Sequence, residues 1–139
     1  MLRVLLYLWP LPVTALGMLA VLLARSSGGS VQRVAGVLEA AGGWPGRCLR
    51  HGFPFSGSVA AMTLGHVVIG VSHEALVATR AHERAHVRQF ERWGVLLLVL
   101  YPLAGLAAWL RGGHPYYDNV FEREARAAAD AARRPGGMA

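Results

Sequence analysis

SHEALVATRAHERAHVRQFERW, residues 72–93, is the stretch from which the rest of the chain is read. Its apolar residues recur at helical spacing, Ser72 stands where a helix cap belongs, and Gly94 follows as a break. Inside it lies His82-Glu83-Arg84-Ala85-His86, an HExxH sequence. Positions four apart on a helix differ by only ~40° around its axis, so both imidazoles point at one place. Glu83 sits ~100° round, too far to ligate with them and near enough to reach a water held there. Two neutral imidazoles and a carboxylate suit zinc, which leaves one position for water and lowers that water's pKa to roughly 7. Glu83 is then the general base that takes the proton as the water attacks a carbonyl. The alternative reading is a charged surface helix in which Glu83, Arg84 and Arg88 pair with one another.

A third ligand has to come from a second helix packed against this one. Residues 119–125 read NVFEREA, the start of a last helix expected from about Asn119 to Arg134, where Pro135-Gly136-Gly137 stops it. Glu122 and Glu124 each offer a carboxylate, but they differ by ~200° on a helix, so one face presents only one of them. Glu122 has a competing role, because Asn119-x-x-Glu122 has the spacing of a capping box. His114, Tyr116 and Tyr117 precede this helix as donors for a developing oxyanion. His114 and Tyr117 are taken as the catalytic pair, with anchoring at a membrane interface as the tyrosines' alternative role.

HExxH followed by a helix bearing E-x-x-A resembles the gluzincin class of zinc metallopeptidases. The wider pattern, HERAHVRQFERWG, an apolar run and then YYDNVFEREAR, is similar to a group of small bacterial HExxH proteins. The resemblance covers about residues 64–130. It implies zinc on His82, His86 and Glu122, Glu83 as catalytic base, and hydrolysis of a peptide bond in a peptide or protein substrate. Ala125 becomes the small residue where the two helices approach. The resemblance also implies an edge strand beside the HExxH helix that pairs with the substrate backbone, and residues 64–71 stand in sequence to supply it. Many gluzincins carry E-x-x-A-D, whose Asp supports a ligand histidine. Arg126 stands at that position here, leaving Asp118 or Asp130 to substitute.

Apolar runs lie to both sides. Residues 2–24, LRVLLYLWPLPVTALGMLAVLLA, carry one charge, Arg3, and as a helix would be ~33 Å long, enough to cross a ~30 Å hydrocarbon core. Pro10 and Pro12 kink such a helix; a cleaved signal peptide is the alternative. Residues 94–110, GVLLLVLYPLAGLAAWL, are at the short limit for a span and are interrupted by Pro102. If they crossed once, His82 and His86 would lie on one side and Glu122 on the other. The ligand set therefore requires a re-entrant hairpin turning near Pro102, or packing against the first helix or the domain. Arg25 and Arg33 against Arg3 favour a cytoplasmic catalytic part, and the resemblance to bacterial proteins implies the inner membrane.

The remaining segments complete the outline. Residues 25–30 read as a linker. Val31, Val34, Ala35, Leu38 and Ala41 recur at helical spacing, predicting a short amphipathic helix over 31–41 capped by Ser30. Residues 44–58 read as loops around a possible short strand, and β-branched residues predict at least one strand at 64–71. His51, His66 and His73 read as ordinary polar or capping residues. Arg80, Arg84, Arg88 and Arg92 form a stripe, either against anionic lipid headgroups or as a solvated face partly balanced by Glu83 and Glu91.

Composition sets the limits. The chain has 139 residues, 54% of them hydrophobic and 16% charged, which excludes a disordered or collagen-like protein and leaves room for one core. One cysteine, Cys48, excludes an internal disulfide. A formal charge of +6 with no Lys among 14 basic residues argues for a membrane lipid surface over nucleic acid. The expected fold class is α+β and minimal zincin-like. Its parts are an N-terminal transmembrane helix (1–24), then a domain (25–139) with a small β-sheet or hairpin, the HExxH helix, an apolar helical hairpin and a C-terminal Glu-bearing helix. Two further readings are a non-catalytic metal-binding regulatory or assembly module, and a purely structural small membrane protein.

Overall fold

A computed structural model describes residues 1–54 and 57–136. The sheet is built from two hairpins. β1 (Ser30–Val34) and β2 (Val37–Ala41) are joined by Ala35-Gly36, both at positive φ (47° and 80°), the two-residue turn whose twist suits a hairpin. β3 (Ala61–Leu64) and β4 (Val67–Gly70) are joined by Gly65-His66, with Gly65 at φ 64°. β2 and β4 run parallel, giving the order β1-β2-β4-β3 and leaving β3 as a free edge. The helix expected over 31–41 is therefore a hairpin, and Ser30 opens a strand. The valines recur at helical spacing but, being β-branched, equally suit strands, and the turn dipeptide decides. The strand expected over 64–71 is β4, and the free edge is not it but β3, at 61–64.

Six α-helices surround the sheet among the described residues: α1 (Leu2–Leu8), α2 (Leu11–Ser26), α3 (Gly43–His51), α4 (His73–Trp93), α5 (Leu97–Leu110) and α6 (Val120–Arg133). α3 replaces the loops expected from residue 44; Pro45 sits in its first turn, where a missing N–H breaks no bond. Residues 55 and 56 of that stretch, and Gly137 of the expected C-terminal stop, lie outside the described residues. Alternate residues of the sheet pack on opposite layers. Ala40, Val67 and Ile69 meet Val21 and Ala24 of α2 and Leu49 of α3. Val37, Ala41, Ala61 and Val68 meet Leu76 and Val87 of α4.

The segment expected as an anchor is, over its second half, also a wall of this core. Val13 and Ala24 are fully buried, and a Cβ on Gly17 would stand 2.6 Å from Val67 Cβ. Only Gly lets α2 lie this close to β4. The outer face of α2 stays apolar and exposed, with Leu16, Leu19 and Leu22 each more than half exposed. The expected single N-terminal helix is two helices, α1 and α2, bent by 58° at Trp9-Pro10.

α4 begins as predicted, with Ser72 Oγ accepting from Ala75 N at 3.1 Å. It ends at Gly94, whose φ of 56° starts a 3-10 turn over Gly94–Leu96. The helical run bends at that turn. Fifteen helical residues separate His86 from Tyr101, ~22 Å along a straight axis, yet their rings are 6.4 Å apart. Trp9 packs on Gly94, where a Cβ would meet its Nε1 at 2.4 Å. The expected apolar helical hairpin turning at Pro102 is instead one helix, α5, set off from α4 by the bend at Gly94. Pro102 lies inside α5, where its lack of an N–H removes one helical bond without ending the helix. By length and composition alone, the helical run His73–Leu110 would suffice to cross a membrane, and α1 with α2 would do so if taken as one span.

Candidate metal centre

α4 and α6 pack face to face with Ala125, fully buried, at their contact. This brings His82, His86 and Glu122 together. His82 Nε2 and His86 Nε2 are 3.1 Å apart. Glu122 Oε2 lies 3.1 Å from the first, and Oε1 lies 3.2 Å from the second. A tetrahedral zinc with bonds of about 2.0–2.1 Å separates its donors by about 3.3 Å, so the triangle has the right size. Glu122 Oε2 is buried and makes no hydrogen bond, leaving a lone pair aimed at the centre of the group. These residues could hold a divalent metal ion.

Supporting contacts fix two of the three candidate ligands, His86 and Glu122. Gln89 is fully buried; its Oε1 lies 2.8 Å from His86 Nδ1, while its Nε2 donates to Phe121 O at 3.0 Å. Because the amide nitrogen is committed to the carbonyl, Oε1 must accept from Nδ1–H, which leaves the His86 Nε2 lone pair facing the site. Tyr101 donates from its hydroxyl to Glu122 Oε1 at 2.6 Å. Asn119 caps α6 by accepting from Phe121 N at 3.0 Å and donates to Tyr101 O at 3.0 Å. Glu122 therefore faces the imidazoles and is not spent on a capping box. Its rival, Glu124, is exposed and lies 3.5 Å from Arg92.

Burial pushes the Glu122 carboxyl up, but contacts with His82, His86 and Tyr101 outweigh this and hold it far below the usual range. Glu83 is also buried, and that burial raises its pKa, opposed by the two imidazoles and by Thr63. Thr63 of the edge strand donates its hydroxyl to Glu83 Oε2 at 2.7 Å. Glu83 thus has its own anchor, separate from the ligand triangle.

A groove of about 1070 Å³ runs along the centre between β3 and α5, and His82, Glu83, His86 and Glu122 all line it. Ala61–Leu64 form one wall; Leu98, Leu106 and Trp109 form much of the other. Tyr116 and His114 also line it. Burial, with Glu122 nearby, pushes the Tyr116 hydroxyl up, so it remains an O–H donor. His114 Nδ1 accepts from Tyr116 N and Tyr117 N, both at 3.1 Å, which puts the neutral ring's proton on Nε2. Tyr117 does not join them. It is 58% exposed, and Arg126 lies over its ring and donates to its carbonyl oxygen.

Other expectations resolve in the same way. Asp118 accepts from His114 N, and Asp130 lies beside Arg133, so neither supports a ligand histidine; Gln89 takes that place. In the arginine stripe, Arg80 makes two bonds to the buried Glu39, at 3.0 and 2.9 Å, and Arg84 donates to the Ala35 and Val34 carbonyls of the first hairpin. Glu39, not Glu83, balances Arg80 and Arg84, while Arg92 meets Glu124. Glu91 meets His66 Nε2 at 3.0 Å. Sequence reading missed Gln89, Thr63 and Tyr101. Gln89, three residues past His86 on the same helix face, had a signal in its spacing; Thr63 and Tyr101 arrive through the fold alone. The sequence matches no family model, and neither a curated protein nor a solved structure matches it.

Proposed function

We propose that this chain is a membrane-associated, zinc-dependent peptidase. One observation carries the reading. Three ligand-type side chains from two helices converge at 3.1–3.2 Å beside a separately anchored carboxylate, in a groove with a free strand edge. His82, His86 and Glu122 would hold the ion, which supplies Lewis-acid polarisation and an acidified water when bound. Glu83 takes a proton at its free carboxylate oxygen, with Thr63 holding the other oxygen, and returns it to the leaving amine. The edge strand Ala61–Leu64 offers unpaired backbone N–H and C=O groups to an extended peptide. Tyr116 and His114 Nε2–H are the O–H and N–H donors available to a developing oxyanion. The resemblance to gluzincins supports the same assignment, with residues 61–64 in place of 64–71 and Tyr116 in place of Tyr117.

α1 and α2 provide the attachment to lipid. The arginines after them favour a cytoplasmic domain, and the resemblance to small bacterial proteins supports the inner membrane. The test is a chelator-controlled peptide-hydrolysis assay on zinc-replete wild type beside Glu83→Gln. The proposal expects activity in the first only, with equal zinc in both. Equal activity in both removes Glu83 as base, and no activity in zinc-loaded wild type leaves a metal-binding module without hydrolysis.

A further inference from the structure

The groove wall and the outer apolar face are two sides of one helix. In α5, Leu97, Tyr101, Gly105 and Ala108 turn inward, against the core, Glu122 and the Pro115 carbonyl. About 100° round, Leu98, Leu106 and Trp109 line the groove while remaining 43%, 49% and 61% exposed. Further round, Val99 and Leu103 face away from the protein, both more than half exposed. Among the described residues, the groove-lining Leu98, Leu106 and Trp109 lead directly onto this outer face.

That face continues into the N-terminal helices. Trp9 sits on Gly94, and Val13, Phe90 and Leu97 form one cluster, so α1, α2 and α5 meet at a single junction. No charge occurs between Arg3 and Arg25 or between Arg92 and Arg111. Each apolar stretch is thus bounded by arginines at both ends, the pattern that suits an apolar interior with anionic headgroups at its margin. A protein partner would call for hydrogen-bonding groups on the buried face; apart from the Trp109 indole, the exposed face of α5 offers none. α5 alone is ~21 Å long, short of a ~30 Å crossing. It lies in one leaflet and leaves all three ligands on the same side.

We propose that the groove opens sideways onto a lipid bilayer and takes an apolar polypeptide segment that reaches the site without leaving the lipid. The inference rests on the peptidase reading and names its substrate class.

The experiment uses the full zinc-loaded chain with Cys48→Ser, in vesicles of phosphatidylcholine and phosphatidylglycerol. An environment-sensitive fluorophore is placed in turn at Leu19→Cys, Leu103→Cys and Val77→Cys. The proposal expects quenching by nitroxide lipids at 19 and 103 to similar depth, and none at 77. A photo-cross-linking residue at Leu98 should capture a lipid-inserted leucine-rich peptide about tenfold more than a water-soluble polar peptide of equal length, and Leu103→Arg should lower vesicle binding by about tenfold. Label 103 in water, a self-associated chain whose α5 face is shielded from lipid, or equal capture of both peptides overturns it. Zinc is measured on the same samples. A metal-free chain with 103 in lipid counts against the peptidase reading alone, and a zinc-loaded chain with 103 in water counts against the bilayer proposal alone.

Discussion

The two faces of the sheet are both buried, and they carry opposite chemistry. Towards α2 and α3 the buried side chains of the strands are apolar, such as Ala40, Val67 and Ile69, and the one charged residue on that face, Arg33, is exposed. Towards α4 they present Glu39 and Thr63 among the apolar residues, and each of these polar groups bonds a residue of α4. The apolar face demands volume and shape and tolerates rotation of a helix about its axis. The polar face does not. Arg80 on Glu39, Arg84 on the first hairpin and Glu83 on Thr63 set the rotation of α4, and that rotation turns His82 and His86 towards α6. One layer supplies stability and the other supplies aim.

Substitutions on the two faces should therefore fail differently. The largest effect is expected at the aimed carboxylate: Glu83→Gln lowers turnover about a hundred- to ten-thousand-fold with zinc retained, measured by single-turnover hydrolysis and elemental analysis. On the opposite face, Gly17→Val puts a side chain into the 2.6 Å approach to Val67 and costs about 3 kcal/mol of stability in denaturant melts. Retained stability there would mean that α2 is not clamped to β4.

Gln89→Ala removes the acceptor from His86 Nδ1 and the donor to Phe121 O. Zinc affinity should fall ten- to a hundredfold by competition with a chromogenic chelator, with the fold kept. An unchanged affinity would make Gln89 a packing residue only. Glu39→Gln should cost about 1–2 kcal/mol, less than a fully buried pair because Arg80 is one-third exposed and can be rehydrated. Burial raises the Glu39 carboxyl, and bonds from Arg80 and Gln32 more than offset this, so it titrates below the usual value of 4.5. Its contribution is complete above that value and is lost as pH falls through the lowered one. Melts of wild type should lose this increment on acidification, and Glu39→Gln should not.

The sequence made α4 legible because a cap, a long periodic run and a terminal Gly all agreed. The convergence of His82, His86 and Glu122 was legible because helical geometry alone pairs the two histidines, and the E-x-x-A resemblance marked Glu122. Residues 31–41 misled because Val31, Val34 and Leu38 recur at helical spacing while their β-branched members equally suit strands, and only the Ala35-Gly36 turn decides. The break was placed at Pro102 because Pro is the louder breaker, whereas the run bends at Gly94 through a positive φ packed under Trp9. Tyr117 and Tyr116 are adjacent and chemically alike, and only the loop's path decides which enters the groove.

The most direct measurement is metal content per chain for wild type beside Glu122→Ala, with both purified from zinc-supplemented medium. The account predicts one zinc per wild-type chain and a large loss in the variant. Wild type without stoichiometric metal, or a variant that binds zinc as tightly, would contradict it.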